Sequence, residues 1–242
     1  MTNPTAAILI IGDEILTGRT REGNGYFLAG VLADAGIDLR EIRVVGDDHA
    51  TIVSAVRGLS AAHDHLFTSG GIGPTHDDIT ADAVADAFGA AIGVRDDARA
   101  ILAAHYAACG MEFNAARLRM ARIPEGARLI DNPVSAAPGF SLGNTHVMAG
   151  VPNIFQAMVA SVLPLLTGGK PLVTASLRVM RPEASVAEAF GALAASMPEV
   201  AMGSYPFVQD GTYGTNLVVR GTDPQQVALG LSRLRALFPE GQ

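Results

Sequence analysis

The stretch TSGGIGPTHDDIT, residues 68–80, decides the fold of this chain. It follows a short apolar segment at residues 65–68 that is typical of a buried strand. It leads into residues 80–88, where the apolar side chains have helical spacing. A strand that runs through a glycine-rich turn directly into a helix is typical of a βαβ unit with a parallel sheet. The stretch therefore predicts an α/β fold.

The same loop has the composition of a phosphate site. Glycines let the backbone approach an anion closely, and the positive end of the next helix favours negative charge there. Asp77 and Asp78 are unusual beside an anion unless they hold a cation or move a proton, so we expect a divalent cation such as Mg²⁺ with the phosphate. The alternative is that one of these carboxylates caps the helix and the turn is structural. The predicted phosphate-binding residues of the loop are Ser69, Gly70, Gly71, Gly73 and Thr75.

Two further acidic loops follow predicted strands. The apolar run at residues 6–11 ends at GDEILTG, residues 12–18, and a second predicted strand at residues 39–45 ends at Gly-Asp-Asp. Ligands of open α/β sheets bind at the carboxyl ends of the strands, so we expect these loops to face a shared ligand. Alternatively, residues 12–18 form a solvated turn, and Asp48 caps the next helix while Asp47 faces a ligand. The carboxylates expected at this edge, counted over the three loops, are Asp13, Glu14, Asp47, Asp48, Asp77 and Asp78.

Strand and helix patterns alternate through the first two thirds of the chain. Residues 124–140 contain three prolines and two glycines and are predicted to be rich in loop. Within this range, Asn132 either binds a ligand or begins a turn. Residues 167–171 have linker composition, and a strand–helix–strand–strand–helix order follows them. We therefore predict a mostly parallel α/β domain over residues 1–168 and a small α+β domain with an antiparallel sheet over residues 171–242.

Composition excludes several classes of protein. The chain has 242 residues, 49% of them hydrophobic, and a net charge of −7, which gives no reason to expect nucleic-acid binding. Its single cysteine excludes an internal disulfide framework. The N-terminus lacks a basic region, and prolines and glycines break the uncharged residues 132–169 into short pieces, so we expect no membrane span and a cytoplasmic location. His146, in an apolar segment, is predicted to be a core residue.

The loop at residues 70–78 resembles the Gly-Gly-x-Gly-Pro-Thr-x-Asp-Asp signature of the N-terminal domain of CinA, the competence/damage-inducible protein A. That domain belongs to the molybdopterin-binding superfamily with MoaB, MogA and a domain of MoeA. The resemblance extends over roughly residues 5–165, and residues 203–206 with Tyr213 resemble the small domain that follows in CinA and in eukaryotic FAD synthases. The other matching positions are residues 12–18, Asn24, residues 45–48, 132–133, 137–140 and 150–152.

The resemblance implies a three-layer α/β/α sandwich that binds a nucleotide- or pterin-phosphate ligand at the strand ends. It implies a pyrophosphatase that acts on ADP-ribose- or FAD-like dinucleotides with Mg²⁺, Mn²⁺ or Co²⁺. It further implies a small-molecule ligand as the partner, and a homo-oligomer. The alternative is a non-catalytic molybdopterin-binding protein in molybdenum cofactor biosynthesis, which is favoured by Asn153 where relatives carry an acid. The implied roles are catalysis by Asp47 and Asp78, metal binding by Asp13, Glu14, Asp47 and Asp78, and ligand binding by Gly12, Asn24 and the glycine loop.

Overall fold

The computed structural model describes residues 3–242, which divide into two units. The first unit ends at Gly169, and the second is Lys170–Gln242. The strands of the first unit are β1 (Thr5–Ile11), β2 (Asp38–Val45), β3 (His65–Ser69), β4 (Ile92–Val94), β5 (Arg122–Pro124), β6 (Arg128–Ile130), β7 (Gly139–Leu142) and β8 (Thr145–Met148). Its α-helices are α1 (Asp13–Leu16), α2 (Asn24–Asp34), α3 (His49–Ala62), α4 (Thr80–Phe88), α5 (Asp96–Ala108), α6 (Ala115–Leu118) and α7 (Pro152–Val162).

Six of these strands form one sheet in the order β2-β1-β3-β8-β7-β6. The neighbours from β2 to β8 are parallel, and β7 is antiparallel to both β8 and β6. Strands β4 and β5 pair separately. The predicted mostly parallel α/β fold is therefore confirmed, and the carboxyl ends of β1, β2, β3 and β8 lie along one edge of the sheet.

The interior strand β1 is buried on both faces, which explains its continuous run of apolar residues. Its side chains alternate between two clusters, as the period of two in a strand requires. One cluster lies against α3, α4 and α5, and the other against α2 and α7, so helices cover both faces of the sheet. Ala7, Leu9 and Ile11 belong to the first cluster, and Ala6, Ile8 and Ile10 belong to the second.

Residues 124–140 are rich in loop, as predicted, and they also contain strand residues that the sequence did not indicate. The end of β5, all of β6 and the start of β7 lie in this range. These strands have three or four residues each, which is too short for a period of two to be recognised among the prolines and glycines.

The second unit contains β9 (Val173–Val179), α8 (Glu183–Ala195), β10 (Ala201–Gln209), β11 (Thr212–Gly221) and α9 (Pro224–Leu237). Its antiparallel sheet has the order β10-β11-β9. Leu177, Leu217 and Val219 from the sheet pack with Val186 and Leu234 from the two helices. The predicted small α+β fold is confirmed. Among residues 3–242, no helix combines the length and apolar character that a membrane crossing needs.

His146 on β8 is buried, as predicted for a core residue. Its Nδ1 lies 2.9 Å from the Ser141 hydroxyl, and its Nε2 has no hydrogen-bond partner among the described residues. Burial, assisted by the nearby His65 and Arg128, lowers the pKa of His146 to about 4 from its ordinary value of 6.5. The folded protein therefore keeps this imidazole neutral at pH values where the unfolded chain protonates it.

We expect stability to fall as the pH falls from about 6.5 to about 4, because the unfolded chain binds a proton that the folded chain does not. Between pH 7 and pH 5 this linkage lowers the free energy of unfolding by about 2 kcal/mol. We would measure urea unfolding of His146→Gln at pH 7 and pH 5. The drop in its free energy of unfolding between the two pH values should be smaller than that of the wild type by about 2 kcal/mol. The control His76→Gln changes a fully exposed imidazole, and its pH dependence should match that of the wild type. Equal pH dependence in all three proteins would contradict the assignment.

Candidate functional site

The glycine loop between β3 and α4 has a backbone that only glycine fits at two positions. Gly70 has φ of +112° and Gly71 has φ of +68°. A Cβ on Gly70 would overlap the main-chain oxygen of Ile11, and one on Gly71 would overlap the hydroxyl of Thr80. The loop therefore lies directly against the end of β1 and the start of α4.

Asp78 orders this loop instead of capping α4. Its Oδ2 accepts hydrogen bonds from the main-chain N–H of Thr75 at 2.7 Å and from the Thr75 hydroxyl at 2.5 Å. The residue before α4 is Ile79, which makes no side-chain cap. The helix-cap alternative for Asp78 was therefore wrong, and among the described residues no hydrogen bond occupies its Oδ1.

The two other acidic loops are joined by their own aspartates. The main-chain N–H of Asp13 donates to Oδ2 of Asp47 at 2.9 Å, and the main-chain N–H of Asp47 donates to Oδ1 of Asp13 at 3.4 Å. Gly46 leaves room for this contact, since a Cβ there would overlap Oδ1 of Asp13. Asp48 caps α3 by accepting from the N–H of Thr51 at 2.8 Å, as the capping alternative predicted.

These carboxylates change the acidity of Asp47. Partial burial raises the pKa of Asp47, and the hydrogen bond from Asp13 N–H opposes that effect. The negative charges of Asp13, Glu14 and Asp77 raise the pKa further. Asp47 therefore lies in a concentrated negative field that a cation, or a proton, would relieve.

The three loops and the end of β8 enclose a cleft of about 540 Å³. Four carboxylates belong to its lining, and we call them the acidic side: Glu14, Asp47, Asp77 and Asp78. We call the hydrophobic lining residues the apolar side. No Lys or Arg is among the described residues that line the cleft. The residues of the apolar side include Ile72, Pro74, Met120, Val151, Pro152 and Ile154.

Some of the predicted site residues line this cleft and others support it from behind. The lining residues are Gly12, Glu14, Asp47, Gly70, Gly71, Gly73 and Asp78. Asp13 and Thr75 do not line the cleft, and each holds one of its acids through the hydrogen bonds described above. Asn24 and Ser69 are buried, and Nδ2 of Asn24 donates to Oγ of Ser69 and to the main-chain oxygen of Gly150, both at 2.8 Å. Asn24 thereby connects the start of α2 to the ends of β3 and β8.

The acidic side is not a complete metal centre. In the part of the chain that the structure describes, no three His, Cys, Asp or Glu side chains are placed to hold a metal ion together. Mg²⁺ commonly takes only one or two protein carboxylates and completes its shell with water and substrate phosphates. The carboxylates around Asp47 fit a cation of that kind, which arrives with a phosphate ligand.

Several residues that line the cleft lie outside the sequence motifs from which the site was predicted. Thr20, Ser135 and Ile154 come from loops and a helix start that sequence reasoning did not select. Asn132 lines the cleft, and its amide is fully used within its own turn. It donates to Ser135 and Ala137 and accepts from the N–H groups of Val134 and Ser135. The turn alternative for Asn132 is therefore the correct one, and the Asn-Pro pair was its signal.

Comparison with known proteins matches both units. Residues 7–168 match the family described as "Probable molybdopterin binding domain", and residues 171–242 match "FAD synthase, middle domain". A CinA-like protein of Desulfosudis oleivorans is 34% identical over 82% of this chain and 51% of its own length. A "Probable FAD synthase" of Caenorhabditis elegans is 30% identical over 97% of this chain and 50% of its own length. This chain therefore spans about half the length of these two relatives.

A solved structure is also similar to this chain. The crystal structure of the CinA protein of Thermoplasma acidophilum, described as of unknown function, is 34% identical with a TM-score of 0.60. The match covers 65% of this chain and 96% of that one.

We expect Gly71→Ala to destabilise the protein more than Gly110→Ala. Both glycines have nearly the same positive φ, but a Cβ at Gly110 meets no atom within 4 Å, whereas one at Gly71 overlaps Thr80. The left-handed backbone costs about 1–2 kcal/mol in either variant. Overpacking adds about 1–3 kcal/mol at Gly71 only. Urea unfolding measures the difference in the free energy of unfolding. Equal destabilisation in the two variants would show that the loop accommodates the added methyl group without further destabilisation.

Proposed function

We propose that this chain, which belongs to the family of molybdopterin-binding domains and is CinA-like, hydrolyses the diphosphate bond of ADP-ribose- or FAD-like dinucleotides with the help of a divalent metal ion. The observation that carries the proposal is the composition of the cleft. A glycine loop suited to phosphate lines the cleft together with four carboxylates, two of them on the loop itself, and no basic side chain is among the described residues that line it. A site of this charge binds a dianionic phosphate only together with cations.

The reaction needs water and no other co-reactant. The oxygen of water forms a bond to one phosphorus atom, and the bond from that phosphorus to the bridging oxygen breaks. The bridging oxygen stays on the leaving phosphate, and the water gives up its protons to a base and to the solvent. ADP-ribose would yield AMP and ribose 5-phosphate, and FAD would yield AMP and FMN.

Asp47 and Asp78 take the central roles in this proposal. Asp47 is the better base, because its raised pKa brings it nearer to neutral pH while it remains a carboxylate there. Asp78 lies on the glycine loop itself and would orient the water or the cation beside the phosphate. Glu14 and Asp78 are the residues that would hold the cation, and Asp13 fixes Asp47 through its main-chain N–H. When bound, the cation supplies positive charge that offsets the charge of the phosphates.

The apolar side of the cleft supports a ligand with a flat ring. Ile154, Val151 and Met120 offer the kind of surface on which an adenine, flavin or pterin ring packs. The similarity to a protein named as an FAD synthase favours an adenine- or flavin-containing dinucleotide among these. A small molecule is thus the partner that we propose, and a homo-oligomer is part of the same expectation.

A non-catalytic role in binding molybdopterin is the second candidate. It is favoured by Asn153 at the start of α7, where the resemblance to the family leads us to expect an acid. A binding protein of this kind would retain a pterin, detected by its fluorescence after purification from cells that make the cofactor.

A turnover assay tests the first proposal. Purified protein is incubated with ADP-ribose or FAD and Mg²⁺, Mn²⁺ or Co²⁺, and AMP is measured by chromatography. We expect metal-dependent AMP formation that stops on addition of EDTA. Asp47→Asn and Asp78→Asn should each lose about 10²–10⁴-fold in rate, the usual contribution of a positioned acid or base.

The matched control is Asp96→Asn on α5, whose carboxylate is 90% exposed and pairs with Arg99. Its rate should equal that of the wild type. The rate should also fall as the pH is lowered, since protonation of Asp47 removes the base. No AMP with any of the three metals, from protein shown to be folded, would reject hydrolysis and leave pterin binding as the function to test.

A further inference from the structure

Arg119 is placed beside the glycine loop and forms no ion pair among the described residues, although Asp78 and Asp82 line the same small cavity. It begins a 3₁₀ turn, Arg119–Ala121, and its Nη2 donates a long hydrogen bond of 3.5 Å to the main-chain oxygen of Asp78. Its Nε is buried and has no hydrogen-bond partner among the described residues. Within that part of the chain, no carboxylate lies within ion-pair distance of its guanidinium. A buried donor without a partner costs free energy in the free protein.

The two neighbouring arginines are satisfied within the protein. Arg122 forms an ion pair with Asp82 on α4. Arg117 stacks over the ring of Tyr106, with its guanidinium carbon 4.3 Å from the ring centre, and donates to the main-chain oxygen of Glu112. Arg119 therefore differs from both in having donors left for a group that the chain does not supply.

A small cavity next to the cleft contains Arg119. The cavity shares Ile72, Gly73, Asp78 and Met120 with the cleft, so the two meet at the glycine loop. Its volume of about 20 Å³ has room for about one water-sized group, which is the size of one phosphate oxygen. A diphosphate held by the glycine loop could place one oxygen there.

We propose that Arg119 is the residue that binds the second phosphate group of a diphosphate ligand and so selects dinucleotides over mononucleotides. This inference rests on the proposed function. The glycine loop binds one phosphate through its main-chain N–H groups, and Arg119 donates to an oxygen of the other. The planar guanidinium suits this role because it presents several N–H donors in a fixed geometry.

Binding of ADP and AMP, each measured by calorimetry with Mg²⁺ present, tests the inference without turnover. The wild type should bind ADP more tightly than AMP. Arg119→Met, which keeps the bulk and removes the charge, should weaken ADP binding about tenfold to a hundredfold, as expected for a lost charge-assisted hydrogen bond. Its AMP binding should be nearly unchanged. Arg119→Lys keeps the charge without the planar geometry. Its affinity for ADP should lie between that of the wild type and that of Arg119→Met.

Arg99→Met is the matched control, since Arg99 on α5 is exposed and pairs only with Asp96 among the described residues. It should keep the wild-type preference for ADP. Circular dichroism and urea unfolding establish that each variant is folded, and the Lys variant is the one to interpret if Arg119→Met does not fold. With ADP-ribose as substrate, loss of Arg119 should raise KM by a similar factor and change kcat less.

The outcomes separate this inference from the proposed function. If the Arg119 variants keep the preference for ADP while the wild type hydrolyses ADP-ribose, Arg119 has no role in recognition and the hydrolase proposal stands. If the preference is lost and the wild type forms no AMP, Arg119 recognises a diphosphate but the protein does not hydrolyse it. A wild type that binds ADP no better than AMP would overturn the inference.

Discussion

The close contact between strand ends at Gly70 is the constraint on which the site depends. The N–H of Gly70 donates to the oxygen of Met148 on β8, and its Cα lies against both Ile11 and Gly150. Three neighbouring strands, β1, β3 and β8, thus end within van der Waals distance of one another. Any side chain at Gly70 would separate them, because the space is filled by main-chain atoms that cannot rotate away.

The carboxylates of the acidic side repel one another, and hydrogen bonds from main-chain N–H groups hold two of them in place. Carboxylates at close distance repel, and the charges of Asp13, Glu14 and Asp77 add to the effect of burial in raising the pKa of Asp47. The chain compensates with main-chain donors, as when the N–H of Asp13 binds Asp47 and the N–H of Thr75 binds Asp78. In the function that we propose, these carboxylates would meet the cation that accompanies the phosphate.

The parts of the fold with long, regular patterns could be predicted from the sequence, and the short parts could not. The apolar run of β1 and the helical spacing of α4 specified their elements, whereas the three-residue strand β6 lies in a proline- and glycine-rich range. At the site, strand ends predicted which loops meet. They could not predict that Asn24 and Ser69 turn inward, because spacing does not determine side-chain direction.

The sheet order also has a consequence for synthesis. Strand β1 comes first in the chain but lies between β2 and β3, so its apolar residues have no second neighbour until His65–Ser69 has been made. At common translation rates of about 5–20 residues per second, that interval is roughly 3–12 seconds. During it, a six-residue apolar segment, Ala6 to Ile11, is a nascent edge open to wrong pairing. A strand that is interior in the finished sheet is therefore an exposed edge while the chain is being made.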